Sequence, residues 1–547
     1  MRMLHSKKFW IVGLVLFLSG ILIWVWLTGH SVPSTARYLP ADVKEVLTIN
    51  SKRLMTDLLF EKTPISDTSG TASKYWKRWN NAMTANGGIG ISISADILSF
   101  NNVSKAHAIP YSGIIFKVKD ELLLGNFLIR ELPRLVDSTQ THITSLLKAK
   151  GYNSLVIVND ENQNPICIGF NKEVLVVLRS GQGITDPTYL NTELNRIFHL
   201  TKDSSLYVNE NFRETEKHPA DLCYWLKNSN PLDKFFRVGG DTLAETGYTQ
   251  AWLNFKKGEL TLEICRKVSG RQSLPQDKMP RSAADFINYV ATDKFIGICY
   301  ANLDRKSIEQ IVYTGNKYGH LFDNWGVKTE DLISCMDGSA ALAFNGFIHY
   351  PEKYTVYDYD ENFNQVEVER MRDARLPGFT LSLGTKGIEA KARLFLKLLA
   401  NKTLIPSKNG FRLNIEAPVY VYTAGDHLFI TSSDTPPAIQ TRQLAAKEEL
   451  KKQMMEHSSG FSIDLKELEN QYRLAFQVPQ ASPHLSDVFQ AACATAEEEP
   501  TKTTCKLVIT CKDRSANALP QLLGSRLLDW FIEKKNDGQR IPKSTEQ

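Results

Sequence analysis

Leu47-Thr48-Ile49-Asn50-Ser51-Lys52-Arg53-Leu54 decides the fold reading, because it returns as Phe461-Ser462-Ile463-Asp464-Leu465-Lys466-Glu467-Leu468. Both stretches run apolar, hydroxyl, Ile, Asn or Asp, any residue, Lys, any residue, Leu. The first half of each alternates as a strand. The Asn or Asp then stands where a side chain accepts from the first free amides of a following helix. Looser copies are Leu206-Tyr207-Val208-Asn209 and Ile298-Cys299-Tyr300-Ala301-Asn302-Leu303-Asp304.

The order of the copies carries more than any single match. Leu47 to Ile298 is 251 residues, and Leu206 to Phe461 is 255. Other landmarks repeat at offsets between 235 and 265. Asp96-Ile-Leu-Ser99 returns as Asp331-Leu-Ile-Ser334, and Gly113-Ile-Ile-Phe-Lys-Val as Gly378-Phe-Thr-Leu-Ser-Leu. Glu173 to Ser180 returns as Asp426 to Ser433, and Leu262 to Arg266 as Val508 to Lys512. The pattern predicts two tandem, similar α+β halves with mostly antiparallel sheets, at residues 38–268 and 283–519. Residues 269–282 read as a polar linker with Gly270, Pro275 and Pro280. A C-terminal helix is expected over 520–535 and a polar tail over 536–547. In the first half, strands are expected at 43–49, 112–118, 154–159, 173–179, 204–208 and 258–266. Helices are expected at 51–60, in pieces over 121–148, at 188–199 and at 210–228.

Upstream of the repeats, Phe9 to Leu27 is 19 residues without a charge. At 1.5 Å per residue it spans roughly 28 Å, enough to cross a bilayer core. Trp10, Trp24 and Trp26 sit at its ends, and Arg2, Lys7 and Lys8 precede it. The positive-inside bias predicts residues 1–8 in the cytoplasm, a transmembrane anchor over 9–28, a spacer over 29–37 and the rest outside. The competing reading is a cleaved signal peptide, whose apolar region is usually shorter; Ser34-x-Ala36 mimics its cleavage site. No Cys follows the run, which excludes a lipid-attached anchor.

The whole chain has 547 residues, 42% hydrophobic and 23% charged. That is ordinary globular usage and enough for two large domains or three or four smaller ones. Lys plus Arg is 65 against 60 Asp plus Glu; without Arg2, Lys7 and Lys8 it is 62 against 60. No excess charge argues for a nucleic-acid partner. The eight Cys form no CxxC and match no zinc spacing. Cys505 and Cys511 share one face of a strand, about 20 Å apart, too far to bond to each other. They read as buried apolar thiols, with disulfides between distant segments open outside the cytoplasm.

Tyr38-Leu39-Pro40-Ala41-Asp42, followed by the strand Val46 to Asn50 and the helix from Lys52, resembles the opening of an uncharacterised bacterial envelope-protein family. Asp337 to Gly346 and Tyr359 to Glu367 are similar to later parts of it. The family is common in Bacteroidetes-type bacteria and follows a membrane or lipid anchor. The resemblance implies an envelope location and a large repeated α+β ectodomain. It brings no catalytic residues.

Motifs for chemistry are sparse. Gly88-Ile89-Gly90 is followed by Ile93, so the dinucleotide fingerprint fails. Walker A, GxSxG, SxxK with KTG, and HExxH are missing, and the eleven His make no HxH or HxxxH pair. Asp358, Asp360, Asn362, Asn364 and Glu369 fall at positions 1, 3, 5, 7 and 12 of a calcium-loop register. Phe363 occupies the turn position that calls for Gly, and the flanks alternate as strands, so 358–369 reads first as a β-hairpin tip. Tyr75-Trp76 with Trp79, and Tyr224-Trp225, suit sugar stacking or, more commonly, packing. Asn102-Val-Ser104 and Asn401-Lys-Thr403 fit the glycosylation pattern. No catalytic, cofactor-binding or metal residue is assigned.

The expectation is a single-pass protein of the bacterial inner membrane. It contacts the bilayer through residues 9–28, and its periplasmic ectodomain binds or scaffolds an envelope protein or glycan partner. The alternatives are an anchored hydrolase or glycan-processing enzyme and an accessory subunit of a secretion or transport complex. Gly13 and Gly20 give the span no GxxxG motif for helix pairing.

Overall fold

The computed structural model describes residues 34–60, 89–104, 107–135, 141–144, 146–159, 164–181, 186–227, 247–268, 283–289, 296–302, 308–309, 327–359, 363–437, 445–476, 485–499 and 502–523. The expected anchor over 9–28, the linker over 269–282, the tail over 536–547 and Tyr75, Trp76 and Trp79 lie outside them. No helix among the described residues is long and apolar enough to cross a membrane. The fold is α+β with antiparallel strand pairing throughout the ladders below. By contacts, the described residues up to Lys227 with Gly247–Asn254 form one unit, and those from Phe255 onward form a second.

In the first unit, Glu45–Ile49 (β1) leads through Asn50 into the helix Ser51–Phe60 (α1). Asn50 Oδ1 accepts from the amide of Arg53 at 3.1 Å. Then come Ile97–Val103 (β2), Pro110–Lys117 (β3) and the helix Glu121–Asn126 (α2), continued by a π turn and one last helical turn to Leu135. Short strands Thr141–Ile143 (β4) and Leu147–Ala149 (β5) precede Tyr152–Asn159 (β6), Ile166–Phe170 (β7) and Val174–Ser180 (β8). The helices Thr188–Phe198 (α3) and Glu210–Lys217 (α4) and the strands Leu222–Lys227 (β9) and Gly247–Lys256 (β10) complete it. The ladder runs β10-β9-β1-β2-β3-β8-β7-β6, with β4 and β5 both on the far side of β6.

Packing explains the sequence patterns. β2 and β3 alternate, turning Leu98, Phe100, Tyr111 and Ile115 into one core beneath Leu190, Leu194 and Ile197 of α3. Gly113 is required there: a Cβ would lie 2.3 Å from the Phe100 ring. β6 to β8 are covered on both faces, by α3 on one and by Leu124 and Leu128 on the other. This is why Val174 to Leu178 is a continuous apolar run rather than an alternating one.

In the second unit, Glu259–Val268 (β11) and Gly297–Asn302 (β12) come first, followed by the helix Thr329–Cys335 (α5). Two long strands follow, Met336–Tyr359 (β13) and Gln365–Thr385 (β14), and then the helix Ile388–Ala400 (α6). Leu404–Ser407 (β15), Gly410–Leu413 (β16), Tyr420–Ala424 (β17) and His427–Thr431 (β18) precede the helix Ala445–Glu456 (α7). The chain closes with Ser459–Asp464 (β19), helix Leu465–Phe476 (α8), Phe489–Glu499 (β20), Lys502–Cys511 (β21) and helix Ala518–Leu523 (α9). The ladder runs β11-β21-β20-β19-β12-β13-β14-β18-β17-β16-β15. One core packs Ile298, Tyr300, Ala343 and Phe429 against Leu450 and Met454 of α7; another packs Leu404, Val421 and Leu428 against Leu394 and Leu398 of α6.

Several expected elements are corrected. Residues 204–208 are two 3-10 turns, not a strand, because Ser205 Oγ takes the amide of Tyr207 at 3.1 Å and turns the chain. The helix expected over 210–228 stops at Lys217, since His218 precedes Pro219 and is forced into extended backbone; Leu222–Lys227 is then a strand. Asp331 to Ser334 lies in α5, whereas its supposed counterpart Ile97 to Ser99 is in β2, so that landmark fails. Leu262 to Arg266 and Val508 to Lys512 are not counterparts across units: β11 and β21 are direct neighbours. Of the helical pieces expected over 121–148, the described ones reach Leu135, and 141–143 and 147–149 are the strands β4 and β5.

Candidate functional site

The feature that stands out chemically is the far part of the β13–β14 hairpin. Residues 336–344 of β13 belong to the sheet, where β12 pairs with 339–344. At Phe344/Gly346 the register shifts, and Gly346 takes φ +102°. A Cβ at Gly346 would lie 3.0 Å from Oε1 of Gln471 on α8, so small size and positive φ both favour glycine there. Beyond it, Phe347↔Pro377 to Tyr359↔Gln365 pair only with each other among the described residues. Thirteen residues per strand at about 3.3 Å each make an arm of roughly 43 Å.

A two-stranded ribbon of this kind is marginal in water unless its side chains hold it. Here cross-strand ion pairs and a His–carboxylate hydrogen bond do so. On one face Arg372 meets Glu352 at 2.5 Å and stacks over the Tyr354 ring at 5.3 Å, and Arg370 meets Asp358 at 2.8 Å. On the other face His349 meets Asp373 at 2.7 Å and Lys353 meets Glu369 at 3.2 Å. All but Glu352 are largely exposed, so each stabilises the ribbon only weakly. Toward the tip, Tyr357 (65% exposed), Tyr359 (68%), Phe363 (85%) and Met371 (58%) stand in solvent. In sequence, residues 355–369 carry Asp358, Asp360, Glu361, Glu367 and Glu369 and no Lys or Arg. The arm is therefore an acidic, aromatic-tipped probe.

The calcium register at 358–369 is not assembled among the described residues. Asp358 sits opposite Val366 and Glu369 opposite Thr355, which puts them on opposite faces of the ribbon. Each is held by a cation of the arm. Residues 360–362 lie outside the described residues. No group of three or more metal-ligating side chains occurs among the described residues.

Two polar clusters sit in the first unit. Asp42 of the Pro-Ala-Asp opening pairs with Arg196 at 2.9 Å, and Arg196 reaches buried Glu193 at 2.8 Å. Ser104 and Tyr111 donate to the same carboxylate at 2.8 and 3.0 Å. Asn102 is buried and donates to the Tyr111 hydroxyl at 3.2 Å, so its part in the glycosylation pattern is a packing role. The second cluster is Glu216 with Thr48, whose hydroxyl donates to Oε1 at 2.7 Å while Oε2 is buried without a partner among the described residues. Burial pushes Glu216 up to about 8, and burial also raises Asp96 to about 6.

The first unit also has a cleft of about 590 Å³. Its walls come from the 3-10 turn Ser34–Tyr38, Glu173 before β8, Phe198 and Leu200 at the end of α3, and the turns to Tyr207. Arg37 and the Tyr38 hydroxyl both engage Oε2 of Glu173, the latter at 2.5 Å. Those two contacts, Tyr38 first, hold the Glu173 carboxyl below its ordinary range.

Of the eight Cys, five are buried, Cys493 and Cys505 are half-buried, and Cys299 is exposed. Trp225 is core against Phe212, and the Tyr224 hydroxyl donates to Glu45 at 2.6 Å. The hairpin tip was legible in the sequence; the length of the arm was not, since nothing local marks the strand as running unbroken past Gly346. The cleft residues come from separate segments and leave no local signal.

No family model matches the chain, and no curated protein matches it. Among solved structures, the chain is similar to crystal form IV of TP0453, at 9% identity over 44% of this chain and 83% of that one, with a TM-score of 0.24. A likeness that weak carries no argument about fold or function.

Proposed function

We propose that this chain is a single-pass scaffold of a bacterial envelope, anchored through residues 9–28 with its ectodomain in the periplasm, whose second unit extends the β13–β14 arm to a protein partner. The observation that carries the reading is the arm. A folded domain gains nothing for its own core from roughly 43 Å of exposed ribbon tipped by Tyr357, Tyr359 and Phe363. Aromatic residues are enriched at protein interfaces. We also read the two units as tandem copies. The series β9-β1-β2-β3-β8-β7-β6 parallels β20-β19-β12-β13-β14-β18-β17-β16, with β19 replacing the turn at 206–208. Asn50, Asn209 and Asp464 each cap the N3 amide of the following helix, at 3.1, 3.0 and 2.9 Å.

The test is in-cell photo-crosslinking of the full-length protein with the crosslinker at position 357 or 359, and an anchor-only chain as control. One dominant protein captured from both positions supports the reading. Capture of nothing beyond the anchor-only background rejects it.

A further inference from the structure

We infer that the cleft bounded by Arg37, Tyr38, Glu173, Phe198, Lys202 and Tyr207 is a binding site for an uncharged, hydroxyl-rich ligand, a segment of oligosaccharide. Its volume, about 590 Å³, falls within the range of small-ligand sites. Three half-buried rings line it. The Phe198 ring is fixed from behind by a parallel stack with Tyr152, with centroids 4.3 Å apart and planes at 4°, and from the side by Tyr38 at 6.0 Å. A platform so held needs no ordering when an apolar sugar face settles on it.

Within the polar wall, which Lys202 also lines, the Arg37–Glu173 pair suits hydroxyls rather than ions. Arg37 and Glu173 neutralise one another, so neither a phosphate nor an ammonium finds an uncompensated charge in the pair. Oε2 of Glu173 receives both Arg37 Nη2 and the Tyr38 hydroxyl, which among the described residues leaves Oε1 as an acceptor beside further guanidinium N–H donors. An acceptor and a donor side by side suit the adjacent hydroxyls of a sugar ring. Arg37 also lies 5.2 Å from the Tyr38 ring centroid, which fixes the donor fork next to the aromatic platform. The site lies wholly in the first unit and needs nothing from the arm, so it stands or falls independently of the proposed scaffold role.

The test uses full-length protein in lipid nanodiscs, which keeps glycosidic detergents out of the cleft. It is titrated calorimetrically with N-acetylglucosamine tetrasaccharide, with maltotetraose and with inorganic phosphate. The expected result is saturable binding of an oligosaccharide, weakened about ten-fold or more by Glu173→Gln or Arg37→Gln and unchanged by Lys386→Gln in the second unit. Tyr207→Leu, which removes only a ring at the rim, gives a second loss. Preference between the tetrasaccharides separates an amino-sugar polymer from a neutral glucan. No saturable binding of either sugar, equal binding by wild type and the cleft variants, or preferential binding of phosphate would each overturn the inference.

Discussion

Thr48 donates to Glu216 inside the first unit, and that contact joins a strand to a helix through a carboxyl kept protonated by its surroundings. An unfolded Glu titrates near 4.3, whereas burial raises Glu216 to about 8 in the fold. The folded state therefore holds a proton that the unfolded state has released throughout that window. Its contribution to stability is complete below about pH 4 and is lost as pH rises to about 8. Asp96, raised to about 6, acts with the same sign over a narrower range. Urea unfolding at pH 5 to 8 is expected to show stability falling by up to about 1.4 kcal/mol per pH unit from Glu216. Glu216→Gln should remove most of that slope, and an unchanged slope in the variant would reject the assignment. At Gly113, alanine must displace the Phe100 ring, and a loss of about 1–3 kcal/mol in the same assay is expected. Thiols give a third check. Maleimide should modify Cys299 first in native protein, with the buried thiols following only on unfolding, because burial raises Cys167 to about 12 and Cys511 to about 11.

Elements show where sequence reading succeeds and where it stops. The helix caps at Asn50, Asn209 and Asp464 were legible because one side chain does a local job, and their distances agree within 0.2 Å, although a turn and not a strand precedes Asn209. β3, β6, β8 and α3 were legible because their apolar pattern reports a nearby core. β2, β7 and β9 were missed, as was the true end of α4, which Pro219 imposes after His218. Strands of that kind are fixed by neighbours far along the chain: Val46 pairs with Phe100 on one side and with Trp225 on the other. The candidate sites divide in the same way. The turn near Phe363 was visible, while the cleft, assembled from positions 34 to 207, was not. For the arm itself, Tyr357→Ala with Tyr359→Ala and Phe363→Ala should leave the melting temperature nearly unchanged, since exposed positions usually cost within about 0.5 kcal/mol each. The same variant should lose the crosslinked partner when the probe is moved to position 371. A full yield of crosslink from that variant would show that the aromatic tip is not what the partner grips.

Across the whole molecule, each unit has hydrophobic cores of its own, so a single cooperative transition is not required. Calorimetry is expected to give an unfolding enthalpy larger than the van't Hoff value; equality of the two would mean that the units unfold as one. The arm adds a constraint of a different sort. Side chains of a ribbon change face with every residue, so adding one residue to each strand lengthens it by about 3.3 Å and turns whatever lies beyond the insertion to the opposite side. Adding two per strand lengthens it by about 7 Å and restores the orientation. The reach of this chain is thus graduated like a ruler: descendants can change the distance at which they hold a partner only in steps of two residues per strand, or else must present the other face of the tip.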